Sequence, residues 1–178
     1  MKDLNSILRA IPIFFLFTSL SGYNQNLKVT DTLNNHILIA AKEIMSSAKT
    51  CALITIDTEG RPRVRVMDPF MPEDDFTVWF GTNKKTRKTQ QIKNNPKVTL
   101  YYLEPNNAGY VMITGVAELI DNAVEKEKRW KDAWRAFYPN MDDYLLIKVS
   151  PEWMEVISYT HNIIGDELTW EPPKVQFD

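Results

Sequence analysis

Between Asp75 and Glu104 the chain has no acidic residue, yet Lys84, Lys85, Arg87, Lys88, Lys93 and Lys97 all fall there. Within this run, Thr86, Arg87 and Lys88 stand where an apolar strand gives way to a short helical pattern. A helix start presents free backbone N–H groups and a partial positive charge. A hydroxyl, a guanidinium and an ammonium added there make a site for a dianion such as phosphate. The same cluster also reads as the solvated face of a basic helix, and spacing does not separate the two.

A second group of cations lies on residues 62–67. Side chains two apart on a strand share a face, so Arg61, Arg63 and Arg65 line one side and Pro62, Val64 and Val66 the other. Either some of these arginines meet an anionic ligand, or they face solvent and pair with Glu73, Asp74 or Asp75. Cys51 is the only cysteine, which excludes an intrachain disulfide and a multi-cysteine metal site. Its neighbours Ala52, Leu53 and Ile54 predict a buried thiol in a strand. The two histidines, His36 and His161, have no carboxylate at metal-ligand spacing, so no metal site is expected. A glycine-rich dinucleotide fingerprint, a P-loop and a G-x-S-x-G elbow are all missing. Hydrolysis by a nucleophile or a metal therefore has no visible apparatus, and no catalytic side chain is assigned. Asp68 reads as a turn aspartate before Pro69. The net charge of −2 argues against general nucleic-acid affinity.

The elements that must position these groups follow from periodicity. The 178 residues suffice for one domain with a sizeable core. Residues 30–48 predict a helix with Leu33, Ile37, Ala41, Ile44 and Ala48 on one stripe. Residues 51–57 and 62–67 predict a hairpin turned at Gly60. Residues 76–80 predict a strand broken by Gly81, Thr82 and Asn83. A helix over 87–94 follows, capped by Thr86 and stopped by Pro96, and then a strand over 98–103. Residues 110–120 predict a long strand with a bulge at Gly115. A second long helix is expected over 123–137, carrying Trp130, Trp134 and Phe137 as a core or interface stripe. Two strands, 144–150 and 153–158, are expected around Pro151. The fold class is mainly β: a six-stranded antiparallel barrel with peripheral helices.

Residues 1–22 read as an export signal, with Lys2 and Arg9 before an apolar run at 10–17 and small residues at Ser19 and Ser21. Residues 23–29 read as a linker, 30–159 as the domain and 160–178 as a tail. Export, to a periplasm where there is one, is the expectation, with no stable membrane insertion once the leader is removed. A cytoplasmic chain with a retained leader is the alternative.

Five segments occur in order: Gly60-Arg61-Pro62-Arg63-Val64-Arg65; Trp79-Phe80-Gly81-Thr82-Asn83; Thr86-Arg87-Lys88; Ile92-Lys93-Asn94-Asn95-Pro96-Lys97-Val98; and Gly115-Val116-Ala117-Glu118. Together they resemble the FMN-binding split barrel of the pyridoxamine 5'-phosphate oxidase-like family, and its general stress protein branch in particular. The resemblance implies that Thr86, Arg87 and Lys88 bind the FMN phosphate. It implies that Arg65 assists and that the backbone of Val66 and Met67 runs beside the flavin ring. By the same resemblance Gly81 and Thr82 contact ring and ribityl chain, and Arg63 lies on the same cofactor-facing strand. Tyr110 falls near the family's flavin-contacting glutamine. A homodimer with flavin at its interface and a small-molecule redox substrate are implied as well. The oxidases that give the family its name carry a lysine just past the second strand, where this chain has Phe70. Their arginine-rich substrate motif and C-terminal Trp…Arg motif do not occur here, which argues against pyridoxamine phosphate oxidation. The expected function is an FMN-dependent oxidoreductase; the alternative is a non-catalytic FMN- or haem-binding stress or sensor protein.

Overall fold

A computed structural model describes residues 20–177. The expected leader at 1–22 lies outside the described residues except for its last three, which open helix α1, Leu20–Ser47. The linker expected at 23–29 is helical. No proline or glycine occurs between Tyr23 and Ser47 to stop the helix before it reaches Gly22. The unit from Asn34 to Asp178 carries the sheet and every feature discussed below.

In that unit α1 buries Ile37, Ala40, Ala41, Ile44 and Met45, which recur at helical spacing. Leu33 stays exposed. The buried face packs with Leu53, Val78, Phe80, Leu100 and Ile113 of the sheet in one apolar core. Strand β1, Cys51–Ile56, alternates buried and half-buried positions and pairs antiparallel with β2, Pro62–Met67. The turn between them uses Gly60 at φ 75°, a left-handed conformation that suits a residue without Cβ. As expected, Cys51 is buried, and burial pushes its thiol up to about 12.

Strand β3, Val78–Asn83, is longer at its far end than expected. Gly81, Thr82 and Asn83 continue it because each pairs with β6, through Leu146, Leu145 and Tyr144. Helix α2, Arg87–Asn94, and strands β4, Lys97–Leu103, and β5, Gly109–Ile120, agree with the predicted pattern. Strand β6, Tyr144–Ser158, is one strand of 15 residues where two were expected. Pro151 is tolerated inside it because it faces Gly115 at a register shift where β6 carries one extra residue, Glu152. A short β7, Lys174–Gln176, adds to β6, buries Val175 and brings Phe177 to 5.6 Å from Phe76. The tail is therefore packed on the domain.

The main sheet runs β2-β1-β4-β5-β6-β3, all antiparallel, and curls into the six-stranded half-barrel of the predicted split-barrel class. An isolated bridge between Pro69 and Phe80 joins the chain leaving β2 to β3, so the two outermost strands meet.

The helix expected over 123–137 stops early. Helix α3, Ala123–Lys128, starts at an Asn122 cap that accepts from the Glu125 N–H, and ends where Arg129 leaves helical geometry. Arg129 turns inward instead and is 6% exposed. It pairs with Glu125 and with Glu73 at 2.7 Å, and its guanidinium lies 3.6 Å from the centre of the Trp79 ring. The following residues form short 3-10 turns at Asp132–Trp134 and Met141–Asp143. Trp130, Trp134 and Tyr138 then pack around Tyr144. Closing that aromatic cluster outweighs continuing an amphipathic stripe.

Gly115→Ala should lower stability by about 1–3 kcal/mol. A Cβ there would meet the Ser150 carbonyl oxygen across the sheet. A urea titration checks this, with the midpoint shifted and the slope unchanged.

Candidate functional site

Four of the basic residues around α2 and on the arginine face are already paired. Arg61 and Arg63 reach Asp57, at 3.1 and 2.8 Å, and Arg61 also pairs with Glu59. Lys85 pairs with Asp143 at 2.9 Å and Lys84 with Asp121 at 3.7 Å. The carboxylates expected to neutralise the arginine face are used elsewhere, Glu73 by Arg129 and Asp74 by Lys42. Among the described residues, Arg65, Arg87 and Lys88 have no carboxylate within ion-pairing distance.

These three cations act on one another. Burial, and then the charge of Arg87, lower the pKa of Arg65. Burial, and then the charge of Arg65, lower that of Lys88. Like charges held together in partial burial are unfavourable unless an anion joins them. Arg65 is oriented by neutral partners. Its Nη1 donates to Thr55 Oγ1 at 2.7 Å and its Nη2 to Gln91 Oε1 at 2.9 Å, while Thr55 Oγ1 donates to the same Gln91 oxygen at 2.7 Å. The guanidinium is thereby fixed and keeps its charge.

Thr86 occupies the expected N-cap position of α2, but its side chain makes no capping bond. Its carbonyl accepts from the N–H groups of Thr89 and Gln90, and its hydroxyl pairs with Thr89 Oγ1 at 2.9 Å. The N–H groups of Arg87 and Lys88 make no hydrogen bond among the described residues, as expected for the first turn of a helix. They are donors at the positive end of the helix.

Two cavities meet the start of α2. One, of about 340 Å³, is lined by Val66 and Met67 at the end of β2, by Gly81 and Thr82 on β3, and by Thr86 and Lys88. The other, of about 300 Å³, is lined by Arg63, Arg65, Arg87 and Gln91. Nine of the ten predicted site residues thus lie on two small cavities beside one helix start. Tyr110 does not: it stacks on Tyr101 at 5.1 Å, in register with Ile157 of β6.

The residues present fit a flavin phosphate. A dianion would compensate Arg65, Arg87 and Lys88. Thr82 Oγ1 is a further sign: it lines the larger of the two cavities, its residue is 2% exposed, and it has no hydrogen-bond partner. A buried hydroxyl left unpaired is costly, and a polar ligand group would satisfy it. Gly81 lines the cavity and has a packing role besides. A Cβ on it would run into the Trp134 ring, so its small size makes room for that indole.

The sequence reading missed the third wall. Trp134, Phe137 and Tyr138, from the β5–β6 connector, line the same cavity. Lys131 ties this connector to the end of β2 through Asp68 at 2.8 Å, and lies 4.7 and 5.0 Å from the ring centres of Phe70 and Trp134. Trp134 and Phe137 were visible as an aromatic stripe, but nothing linear shows which way a broken helix turns them. Thr55 and Gln91, 36 positions apart, carry no linear signal at all.

The family model for pyridoxamine 5'-phosphate oxidase matches residues 37–158. The chain is similar to General stress protein 26 of Bacillus subtilis, with 29% identity over 130 residues, covering 70% of this chain and 82% of that protein. Among solved structures, General Stress Protein 26 from Bacillus anthracis superposes with a TM-score of 0.64 at 22% identity, covering 80% of this chain and 99% of that one. A pyridoxamine 5'-phosphate oxidase-related, FMN binding protein from Nostoc punctiforme superposes with a TM-score of 0.57 at 16% identity, covering 79% and 93%. At these identities the structural matches establish a shared fold.

If the anion at this site is the phosphate of FMN, Gln91→Leu, which frees the Arg65 guanidinium, should weaken its binding by up to about 1.5–3 kcal/mol, the range for a hydrogen bond to a charged group. Affinity for riboflavin, which has no phosphate, should be unchanged. Parallel titrations with the two flavins check this; equal losses for both would show a general structural defect.

Proposed function

Because the chain belongs to the pyridoxamine 5'-phosphate oxidase family, we propose that it is an FMN-binding flavoprotein that acts as an oxidoreductase on a small molecule. The observation that carries this reading is the convergence of Arg65, Arg87 and Lys88, uncompensated by any described carboxylate, beside the orphaned hydroxyl of Thr82. The solved FMN binding protein from Nostoc punctiforme, on the same fold, adds support.

In this reading Arg87 and Lys88 hold the phosphate by charge-assisted hydrogen bonds, with the first N–H groups of α2. Arg65, fixed by Thr55 and Gln91, completes the anion site. Thr82 Oγ1 hydrogen-bonds a polar group of the cofactor. The ends of β2 and β3 and the aromatic side chains of the connector wall the cleft and exclude water from it. Bound FMN would supply hydride and electron transfer at its ring. No protein acid or base is assigned to the reaction. Asp68, the carboxylate among the residues lining the cleft, is held by Lys131.

A homodimer belongs to the same proposal. Val64 and Val66 are 67% and 73% exposed on the outermost strand, next to the two cavities, and a second copy of the chain would cover them. Export remains an expectation from the leader pattern, and sequencing the mature N-terminus tests it.

Purified protein should be yellow or take up added FMN, lose the flavin absorbance with a reductant and regain it in air. Arg87→Ala combined with Lys88→Ala should weaken FMN binding by several kcal/mol at most, at about 1.5–3 kcal/mol for each charged hydrogen bond. Unchanged affinity in that double variant would remove the phosphate assignment. A bound flavin that turns over with no donor would support a storage or sensing role.

A further inference from the structure

A cavity of about 650 Å³, nearly twice the volume of the cleft beside α2, lies next to it and shares Tyr138 with it. Its size falls in the ordinary range for small-molecule sites. Trp130, Tyr138, Pro139 and Met141 form its apolar walls. The aromatic walls are set by packing. Trp130 and Tyr138 meet the fully buried Tyr144 at centroid distances of 5.3 and 4.9 Å in edge-on geometry, and Tyr144 Oη donates to the Arg129 carbonyl at 2.5 Å. The pocket therefore exists before any ligand arrives.

The charges at its rim are unequal. Lys126 is held by Asp121 at 2.8 Å, and Asp121 also takes Lys84. Arg135 lies 3.9 Å from Asp132. Glu127 and Asp142 also line the cavity, and neither has a cationic partner among the described residues. Two open carboxylates and one loosely paired guanidinium leave the rim negative. Aromatic faces combined with a negative rim favour a flat, cationic guest. The Tyr138 hydroxyl makes no hydrogen bond among the described residues, and burial raises its pKa, so it stays a neutral phenol able to donate.

We propose that this cavity binds a small arylalkylamine in its ammonium form, with its ring against Trp130 and Tyr138 and its ammonium toward Glu127 and Asp142. A guest there touches Tyr138, the side chain that also walls the cleft beside α2.

The test is a calorimetric titration of the full chain with 2-phenylethylammonium, 2-phenylethanol and 3-phenylpropionate, with and without FMN. The amine should saturate the protein and bind roughly tenfold more tightly than the alcohol, with the acid weakest. Glu127→Gln together with Asp142→Asn, both at exposed positions, should reduce the amine to the affinity of the alcohol and leave the alcohol unchanged. Equal binding of the three probes, absence of saturation, or an amine preference that survives the double substitution would overturn the proposal. Amine binding in a chain that takes no FMN keeps the cavity and removes the flavin reading; FMN binding without amine binding removes the cavity alone.

Discussion

Positive charge held without a counter-charge is the constraint on which this structure turns. Arg65, Arg87 and Lys88 are drawn together at the start of α2, and both Arg65 and Lys88 are partly withdrawn from water. The surrounding chain keeps them charged. Four nearby cations are drawn to other carboxylates, Arg61 and Arg63 to Asp57, Lys85 to Asp143 and Lys84 to Asp121. Arg65 is instead held by a hydroxyl and a carboxamide, which fix its direction and leave its charge available. Such an arrangement is unfavourable in isolation and becomes favourable once a dianion enters.

The half-barrel provides the rigidity this requires. Curling the sheet brings the ends of β2 and β3 together at the Pro69–Phe80 bridge. The connector is fastened across them by two cations with different surroundings. Arg129 is buried against Trp79 between two glutamates, and Lys131 spans Asp68 and the faces of Phe70 and Trp134. Removing the Arg129 partners would leave a buried charge unpaired, so the α3 end and the loop before β3 are coupled in stability. The aromatic cluster beyond them separates the cleft from the larger cavity with a single shared ring, Tyr138.

Much of this was legible in the chain itself. The apolar run before the Gly60 turn marked β1, alternation marked β2, and the Thr86 cap with Pro96 marked α2, because these depend on local geometry. The basic helix start followed from them, the antiparallel barrel from the succession of hairpin-linked strands, and the split-barrel class from the family resemblance. What the chain did not reveal depends on distant partners. Gly81 to Asn83 read as a break, yet β6 supplies the pairing that makes them strand. Residues 123–137 had helical spacing, yet the pull of Glu73 and Trp79 on Arg129 ends the helix at Lys128. The polar stretch at 23–29 read as a linker, though it contains nothing that would interrupt α1. The partners of the arginine face were sought in the acidic loop at 73–75, but Asp57, at the hairpin turn, takes Arg61 and Arg63 and leaves Arg65 without a carboxylate.

The seclusion of Cys51 has a chemical consequence of its own. With 3% exposure and a thiol pushed up to about 12, this sulfur offers almost no thiolate near neutrality. Oxidants formed near the protein surface would pass it by, and neither sulfenic acid nor a mixed disulfide would form there. The sulfur chemistry open to such species shifts to the thioethers of Met71 and Met141, which are 63% and 47% exposed. Methionine sulfoxide, which reductases can reverse, thus becomes the mark that oxidative exposure would leave on this molecule.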